Sequence, residues 1–404
     1  MNVLSLFNGM SFGKMALESL DIKVNKHHSS EIDKYANQAT QAMFPDTVQL
    51  GDAIIVEKVI RWKRSTIEKA LKSKYLKKGA IKINMALPIK KAVEDGIDLV
   101  TGGFPCQAWS MAGKQLGDKD ERGMLFWTML DIMKHVKYHN PKADFLIENV
   151  KMKKEFEQYI TTHTENALGK VHKILINSAL VSAQNRNRYY WTSFPVTQPE
   201  DKGILLKDII EDGFVDRDNA HCIDANYFKG GNLKSYFEKR RRQLVFKCGD
   251  MRGRYIVDGK RGDHLVGSQK GITEQRLELR KDDKTNTLTT VQKDNYVVKV
   301  GQMQPYPRNY KELGLPRKER YEAFGDGSKS NSCLARSDKN LLSSDGVNYR
   351  KLTPRECFRL QTVPEHHIDT LLNAGISNTQ LYKMAGNGWT CEVIKHIFKA
   401  LSIN

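Results

Sequence analysis

Short apolar runs separated by polar, glycine-marked turns dominate the first half of the chain. Residues 3–7, Val-Leu-Ser-Leu-Phe, predict a buried strand, and the turn Asn8-Gly9-Met10-Ser11-Phe12-Gly13 opens a helix over 14–20. A second strand is expected over 21–30, and a third short run ends at Leu50-Gly51. The apolar run 97–100 leads into Gly102-Gly103-Phe104-Pro105-Cys106, and a helix with one apolar face is expected over 124–138. Residues 143–147 predict another buried strand, ending at Glu148-Asn149-Val150; two more elements lie within 171–181, and 184–191 is an extended segment. This alternation of strand and helix is the pattern of an α/β fold with a largely parallel sheet. Beyond residue 195 the chain turns polar and loop-rich, and helical periodicity returns only over 350–360, 380–390 and 391–401. The expected organisation is a first domain at 1–195, a smaller, mostly β domain at 196–345, and a segment 346–404 whose last helix packs back on the first domain.

Charge changes this picture by demanding a partner. The 404 residues carry a formal charge of +18, an excess that suits a polyanion through phosphate contacts and counterion release. Basic residues crowd 57–91, a run that reads equally as a phosphate-facing element or as a solvated helical face. Further clusters, Lys239-Arg240-Arg241-Arg242, Arg252-Gly253-Arg254-Tyr255 and Lys260-Arg261-Gly262, fall in the second domain and make it the expected seat of sequence reading. No apolar stretch of membrane length and no basic amphipathic anchor stands out, so no membrane partner is expected. The six cysteines are scattered without the spacing of a zinc site or a disulfide framework, so no metal is expected. With no leader ahead of Asn2, a cytoplasmic protein is expected.

Candidate chemistry lies at the strand ends. The Gly9 turn between strand and helix lets backbone approach a ligand. Glu31, about twenty residues beyond it, stands where a carboxylate accepts from ribose hydroxyls, and Asp52 could accept from an adenine amino group. Cys106 follows Pro105 in a turn that presents a thiol, the placement of an exposed nucleophile rather than a core residue. Glu148 ends its strand where open α/β sheets hold ligands. Arg186 and Arg188 share one side of an extended segment and could meet phosphates or a base edge. The polar loop 110–123, beside the cysteine, has the composition of a lid.

Gly103-Phe104-Pro105-Cys106-Gln107, Glu148-Asn149-Val150, Gln184-x-Arg186-x-Arg188, the 350–360 segment and Ala385-Gly386-Asn387 occur in the order of the DNA cytosine-5 methyltransferase motifs, and the chain resembles that family over about 1–195 and 345–404. The resemblance implies a Rossmann-like S-adenosylmethionine-dependent methyltransferase sheet with a target-recognition domain. It implies that Cys106 adds to cytosine C6, that Glu148 meets the charge developing at N3, that Arg188 holds the cytosine O2, and that Arg186 supports the site and a nearby phosphate. The target base is flipped out of duplex DNA to reach the thiol. For S-adenosylmethionine and its product S-adenosylhomocysteine it implies a pocket of Phe7, Asn8 and Gly9 at the methionine portion, Glu31 and Ile32 at the ribose, Asp52 and Ala53 at the adenine, and Pro105, Leu125 and Asn387 beside them. The first motif departs from the common Phe-x-Gly-x-Gly-Gly, with Ser11 and Phe12 in place of glycines, and is closer to the animal de novo enzymes.

The expected activity is therefore that of a monomeric DNA (cytosine-5-)-methyltransferase acting on double-stranded DNA, with a restriction nuclease as a potential companion in a restriction-modification system. A tRNA methyltransferase of the related branch and a non-catalytic DNA-binding paralogue are the alternatives. The length of the second domain speaks against the first, and the presence of Cys106, Glu148 and Arg188 against the second.

Overall fold

The computed structural model describes residues 1–61, 63, 90–94, 96–109, 120, 123–230, 236–237, 239–247, 249–257, 260–261, 273–279, 295–296, 321–323, 329–331, 341–342 and 348–401. Contacts divide the chain into two compact units. One comprises Met1–Leu205, Asp224–Phe228 and Cys357–Asn404; the other comprises Leu206–Ile223 and Lys229–Glu356.

The first unit is built on a seven-stranded sheet of β1 (Asn2–Leu6), β2 (Lys26–Ser30), β3 (Val48–Gln49), β4 (Leu99–Gly102), β5 (Asp144–Val150), β6 (His172–Asn177) and β7 (Asn187–Thr192), in the order β3-β2-β1-β4-β5-β7-β6. All neighbours pair in parallel except β7, which runs antiparallel to both β5 and β6. The period-two alternation of β-structure sends neighbouring residues to opposite faces. Leu4, Leu6, Val100, Phe145 and Ile147 enter one core cluster, and Val3, Leu99, Leu146, Ile176 and Tyr190 enter the other.

Helices α1 (Phe12–Glu18), α2 (Lys34–Met43), α3 (Ala53–Ile60), α4 (Leu125–His139) and α5 (Lys154–Leu168) follow the strands. Helix α4 buries Phe126, Met129, Leu130, Met133 and Val136, the stripe its spacing predicts. Four helices close the unit: α6 (Pro354–Leu360), which crosses the unit boundary, then α7 (Glu365–Asn373), α8 (Asn378–Asn387) and α9 (Cys391–Phe398). Val393, Ile394, Ile397 and Phe398 of α9 are at most 1% exposed and share a cluster with Ala16 and Leu17 of α1, as expected for a tail that returns. Each such side chain contributes about 1.5–3 kcal/mol of transfer free energy.

The second expected strand is shorter than its apolar pattern suggests. It begins at Lys26 rather than at residue 21, because the chain makes a left-handed turn at Asp21 (φ 55°). Strand β1 likewise ends at Leu6, since Phe7 has already left extended geometry at φ 53°.

In the second unit every named strand pairing is antiparallel. The strands Leu341–Leu342, Asn348–Lys351 and Leu244–Lys247 form one sheet, and Gly249–Val257 with Thr273–Leu279 forms the longest ladder of another. Tyr236, Leu244, Phe246 and Tyr349 make its described core. Arg350 donates to both oxygens of the fully buried Glu356 at 2.7 Å. Glu356 also accepts from Thr353 N at 2.7 Å while Glu356 N donates to Thr353 Oγ1 at 3.2 Å, the reciprocal capping box that Thr353 and Glu356 encode at the start of α6.

Most of the basic run 57–91 and most of the loop 110–123 lie outside the described residues.

Candidate active site

One cavity of about 390 Å³ runs along the C-terminal edge of the sheet in the first unit and touches every residue named from the sequence as catalytic or cofactor-binding. Its volume suits a nucleoside-sized ligand.

At one end lies the turn after β1. Phe7, Gly9 and Ser11 all have positive φ, at 53°, 56° and 68°. The left-handed backbone is free for Gly9 but costs about 1 kcal/mol or more at Ser11. Polar contacts offset that cost: Asn8 Nδ2 donates to Ser11 Oγ at 2.8 Å, and Ser11 Oγ lies 3.0 Å from Thr40 Oγ1. The replacement of glycine at position 11 is thus accommodated by a buried hydrogen-bond set rather than by a different turn.

Beyond β2, Glu31 is held by three backbone donors. Oε2 accepts from Gly9 N, and Oε1 accepts from Ile32 N and Asp33 N, each at 2.8 Å. The carboxylate is oriented before any ligand arrives. Ile32 beside it is 76% exposed, a large apolar side chain at the rim. Asp52 is the N-cap of α3, with Oδ1 accepting from Ile54 N at 2.9 Å, so the helix-cap role and the pocket position coincide in one residue. Ala53, buried, and Leu125, half-buried at the start of α4, complete this wall with Pro105.

At the other end are the groups with reactive chemistry. Cys106 opens a single 3-10 turn (Cys106–Ala108), separated from the end of β4 by Gly103, Phe104 and Pro105. It is half-buried, not the exposed thiol its turn suggests, and burial pushes its thiol above the ordinary value. Glu148 adds to the rise, while Arg188 and Arg186 oppose it. The packing of neighbours distant in sequence, rather than the local turn, sets this burial. Glu148 is buried at the end of β5, and Arg188 Nε stands 3.0 Å from its Oε1. The reversed strand β7 makes this possible: Arg188 pairs with Val150, so the beginning of β7 lies against the end of β5. Asn149 turns back and donates to Phe104 O at 3.0 Å, tying the cysteine turn to β5.

Arg186, expected to support the site and a nearby phosphate, lines the cavity and braces its wall. It is 3% exposed, and its Nη2 donates to Gly388 O at 2.7 Å and Gly386 O at 3.2 Å. Both carbonyls belong to the end of α8, where an arginine fork satisfies orphan acceptors. Asn387, exposed at that same helix end, lines the cavity.

Sequence reasoning missed Trp389, whose indole N–H donates to Glu148 Oε2 at 3.0 Å, and Lys383, which lines the cavity and donates to Asp33 at 2.7 Å. Proximity to the Ala385-Gly386-Asn387 motif was the available signal for both.

Among the described residues, Glu18, His366 and His367 form the one group spaced to hold an ion. There His367 Nε2 lies 2.6 Å from Glu18 Oε2, a contact that ties α7 to α1, and burial holds the imidazole below its ordinary pKa.

A parallel sheet with one reversed strand, helices on both faces and a cleft across its strand ends defines the α/β methyltransferase fold that uses S-adenosylmethionine. The chain belongs to the C-5 cytosine-specific DNA methylase family, whose family model matches residues 1–402. It is 25% identical to the orphan methyltransferase M.SPBetaI of Bacillus phage SPbeta, covering 99% of this chain and 97% of that protein. It is 27% identical to the type II methyltransferase M1.ScrFI of Lactococcus lactis subsp. cremoris, covering 95% of this chain and 74% of that protein. Among solved structures, the Entamoeba histolytica methyltransferase EhMeth shares the fold with a TM-score of 0.51 at 13% identity, covering 99% of this chain and 97% of that one. No described helix is long and apolar enough to cross a membrane.

Proposed function

We propose that this chain is a DNA cytosine-5 methyltransferase that takes its methyl group from S-adenosylmethionine and works through a covalent adduct of Cys106. The observation that carries the proposal is the convergence of Cys106, Glu148 and Arg188 from three adjacent strand ends onto one end of a cavity whose other end holds the preoriented Glu31 carboxylate. The cofactor fits these residues. Glu31 would accept from the ribose hydroxyls, Asp52 would face the adenine, and the open backbone at Gly9 admits the methionine portion. When bound, S-adenosylmethionine supplies an electrophilic methyl group.

The chain's own residues do the rest. Cytosine C5 is too weak a nucleophile until a thiolate adds to C6, and Cys106 supplies that thiolate after giving up its proton to solvent water. As the C6–S bond forms, the electron pair displaced toward N3 is met by a proton shared from Glu148, while Arg188 holds the base carbonyl. C5 then acquires the methyl group, its proton leaves to a base, and the C6–S bond breaks by elimination, returning Cys106. The base is extrahelical throughout, since a stacked cytosine cannot reach the thiol. The second unit, with its basic clusters and antiparallel strands, would select the DNA sequence.

Duplex DNA prepared with 5-fluorocytosine tests this reading, because fluorine at C5 blocks the elimination. Incubation with S-adenosylmethionine should give a covalent complex stable to denaturing gels. Cys106→Ala should abolish it, and a complex that survives that substitution refutes the assignment. Parallel incubation with transfer RNA separates the RNA-directed alternative.

A further inference from the structure

Trp389 lines the cleft and has no task in the reaction scheme. Trp389 follows α8, and its indole N–H reaches Glu148 Oε2 at 3.0 Å, while Arg188 Nε faces the other oxygen, Oε1, at 3.0 Å. Other parts of the chain are shaped around the indole contact. Arg186 fixes the turn that presents the ring by binding the carbonyls on both sides of Asn387. Gly103 leaves room for the hydrogen bond itself: a Cβ there would stand 3.0 Å from the indole nitrogen and 3.1 Å from Glu148 Oε2. Gly388 leaves room for Phe12, whose ring would lie 2.1 Å from a Cβ at that position. Phe12 is the residue that replaces a glycine of the common first motif, so the aromatic at 12 and the glycine at 388 fit as a pair.

An indole nitrogen donates and never accepts. The carboxylate oxygen facing it must therefore keep a lone pair toward the ring and cannot direct a proton there. A neutral carboxylic acid carries its single proton on one oxygen only. The carbonyl oxygen of a carboxylic acid is the stronger acceptor, so with Trp389 on Oε2 the proton is favoured on Oε1, the oxygen now facing Arg188.

We propose that Trp389 is a positioning residue that assigns the two oxygens of Glu148 different tasks. Oε2 stays a permanent acceptor, and Oε1 carries the proton shared with N3 of the target base. In the free enzyme both oxygens accept from donor-only partners, Trp389 at Oε2 and Arg188 at Oε1. When the base enters, Arg188 shifts from Oε1 to the base carbonyl, and Oε1 takes up one proton from solvent water. That proton moves to N3 as the C6–S bond forms and returns on elimination. The inference rests on the proposed function and adds to it which atom bears the proton and which residue decides it.

The test is Trp389→Phe, which keeps a ring in place and removes the N–H. With the full-length protein, S-adenosylmethionine and unmodified plasmid DNA, kcat should fall about tenfold while KM for DNA and for the cofactor stays within about threefold. The N–H favours the charged carboxylate, so its loss should move the high-pH limb of the kcat profile upward. Trp389→His, which restores a ring N–H, should recover part of kcat. Gly103→Ala, which presses a methyl group against the same bond, should reproduce the shifted limb, and it serves as the deciding variant should Trp389→Phe lower the melting temperature below the assay range.

An unmoved pH profile in the folded variant overturns the inference, whether kcat is unchanged or the loss lies wholly in the cofactor KM. Cys106→Ser and Glu148→Gln run alongside. Turnover by either defeats the proposed function itself, whereas loss in both with an unmoved Trp389→Phe profile defeats only the inference about Trp389.

Discussion

Glu31→Gln is the sharpest probe of the cofactor end, because it changes one atom and leaves the shape. In the wild type one oxygen accepts from two backbone donors and the other from Gly9 N, all at 2.8 Å. Glutamine has a single carbonyl oxygen, so the two-donor side and the Gly9 side cannot both be satisfied, and an NH2 group must face a backbone N–H. The side chain proposed to receive a ribose hydroxyl also changes from a charged acceptor to a neutral one. Hydrogen bonds to charged groups are worth about 1.5–3 kcal/mol, and each 1.4 kcal/mol is about tenfold in affinity. Titration calorimetry with S-adenosylmethionine should therefore show Kd raised roughly 10- to 100-fold. Thermal unfolding without ligand separates the local role: losing one turn contact should lower stability by about 1 kcal/mol. A Kd within threefold of wild type alongside a lowered melting temperature would mean that Glu31 serves the backbone alone, and the ribose assignment would fall.

Three further outcomes follow from the described geometry. Alkylation of Cys106 by iodoacetamide, read by peptide mass spectrometry, should titrate above the ordinary thiol range because burial and Glu148 disfavour the thiolate; Glu148→Gln should move the curve to lower pH and Arg188→Leu to higher pH, and the opposite order refutes the electrostatic assignment. Buried His27 is pushed down to about 3, by desolvation first and then by Lys14. Its unfolded form binds a proton below about 6.5 and the folded form does not, so stability should decline as pH falls from 6.5 toward 3, by up to about 1.4 kcal/mol per unit, and His27→Gln should remove that component from a denaturation series. Glu356→Ala leaves the Arg350 guanidinium buried without its main partner and breaks the α6 cap; it should cost the second unit about 3–5 kcal/mol, measured by urea unfolding, and a loss under 1 kcal/mol would contradict the burial of the pair.

Some of this is legible in the sequence alone. A cysteine between proline and a polar residue and a glutamate closing an apolar run are local statements, and both side chains line the cavity. The destination of Arg186 was not local. Strand period put it on the same side as Arg188, but only the fold brings the carbonyls of Gly386 and Gly388 under its fork. Trp389 was missed for a related reason: despite the neighbouring motif, an aromatic at the end of a helix reads as core until its indole nitrogen is seen to have a carboxylate in front of it. The exposure expected of Cys106 failed because a turn dictates backbone path, whereas burial depends on what other segments pack over it. The left-handed backbone at Phe7 and Ser11 was equally out of reach, since side chains other than glycine rarely signal it.

The return of the chain's last helices to the sheet has a consequence for how the protein is made. A nascent chain emerged as far as residue 356 already carries Cys106, Glu148 and Arg188, but Arg186 has no carbonyls to clamp, Asn387 and Trp389 do not yet exist outside the ribosome, and α1 has no α9 against it. The cleft is therefore complete only late in translation, once the segment that follows residue 356 has reached the sheet. For the same reason a stop codon anywhere ahead of residue 387 should behave genetically as a null allele rather than as a weakened one.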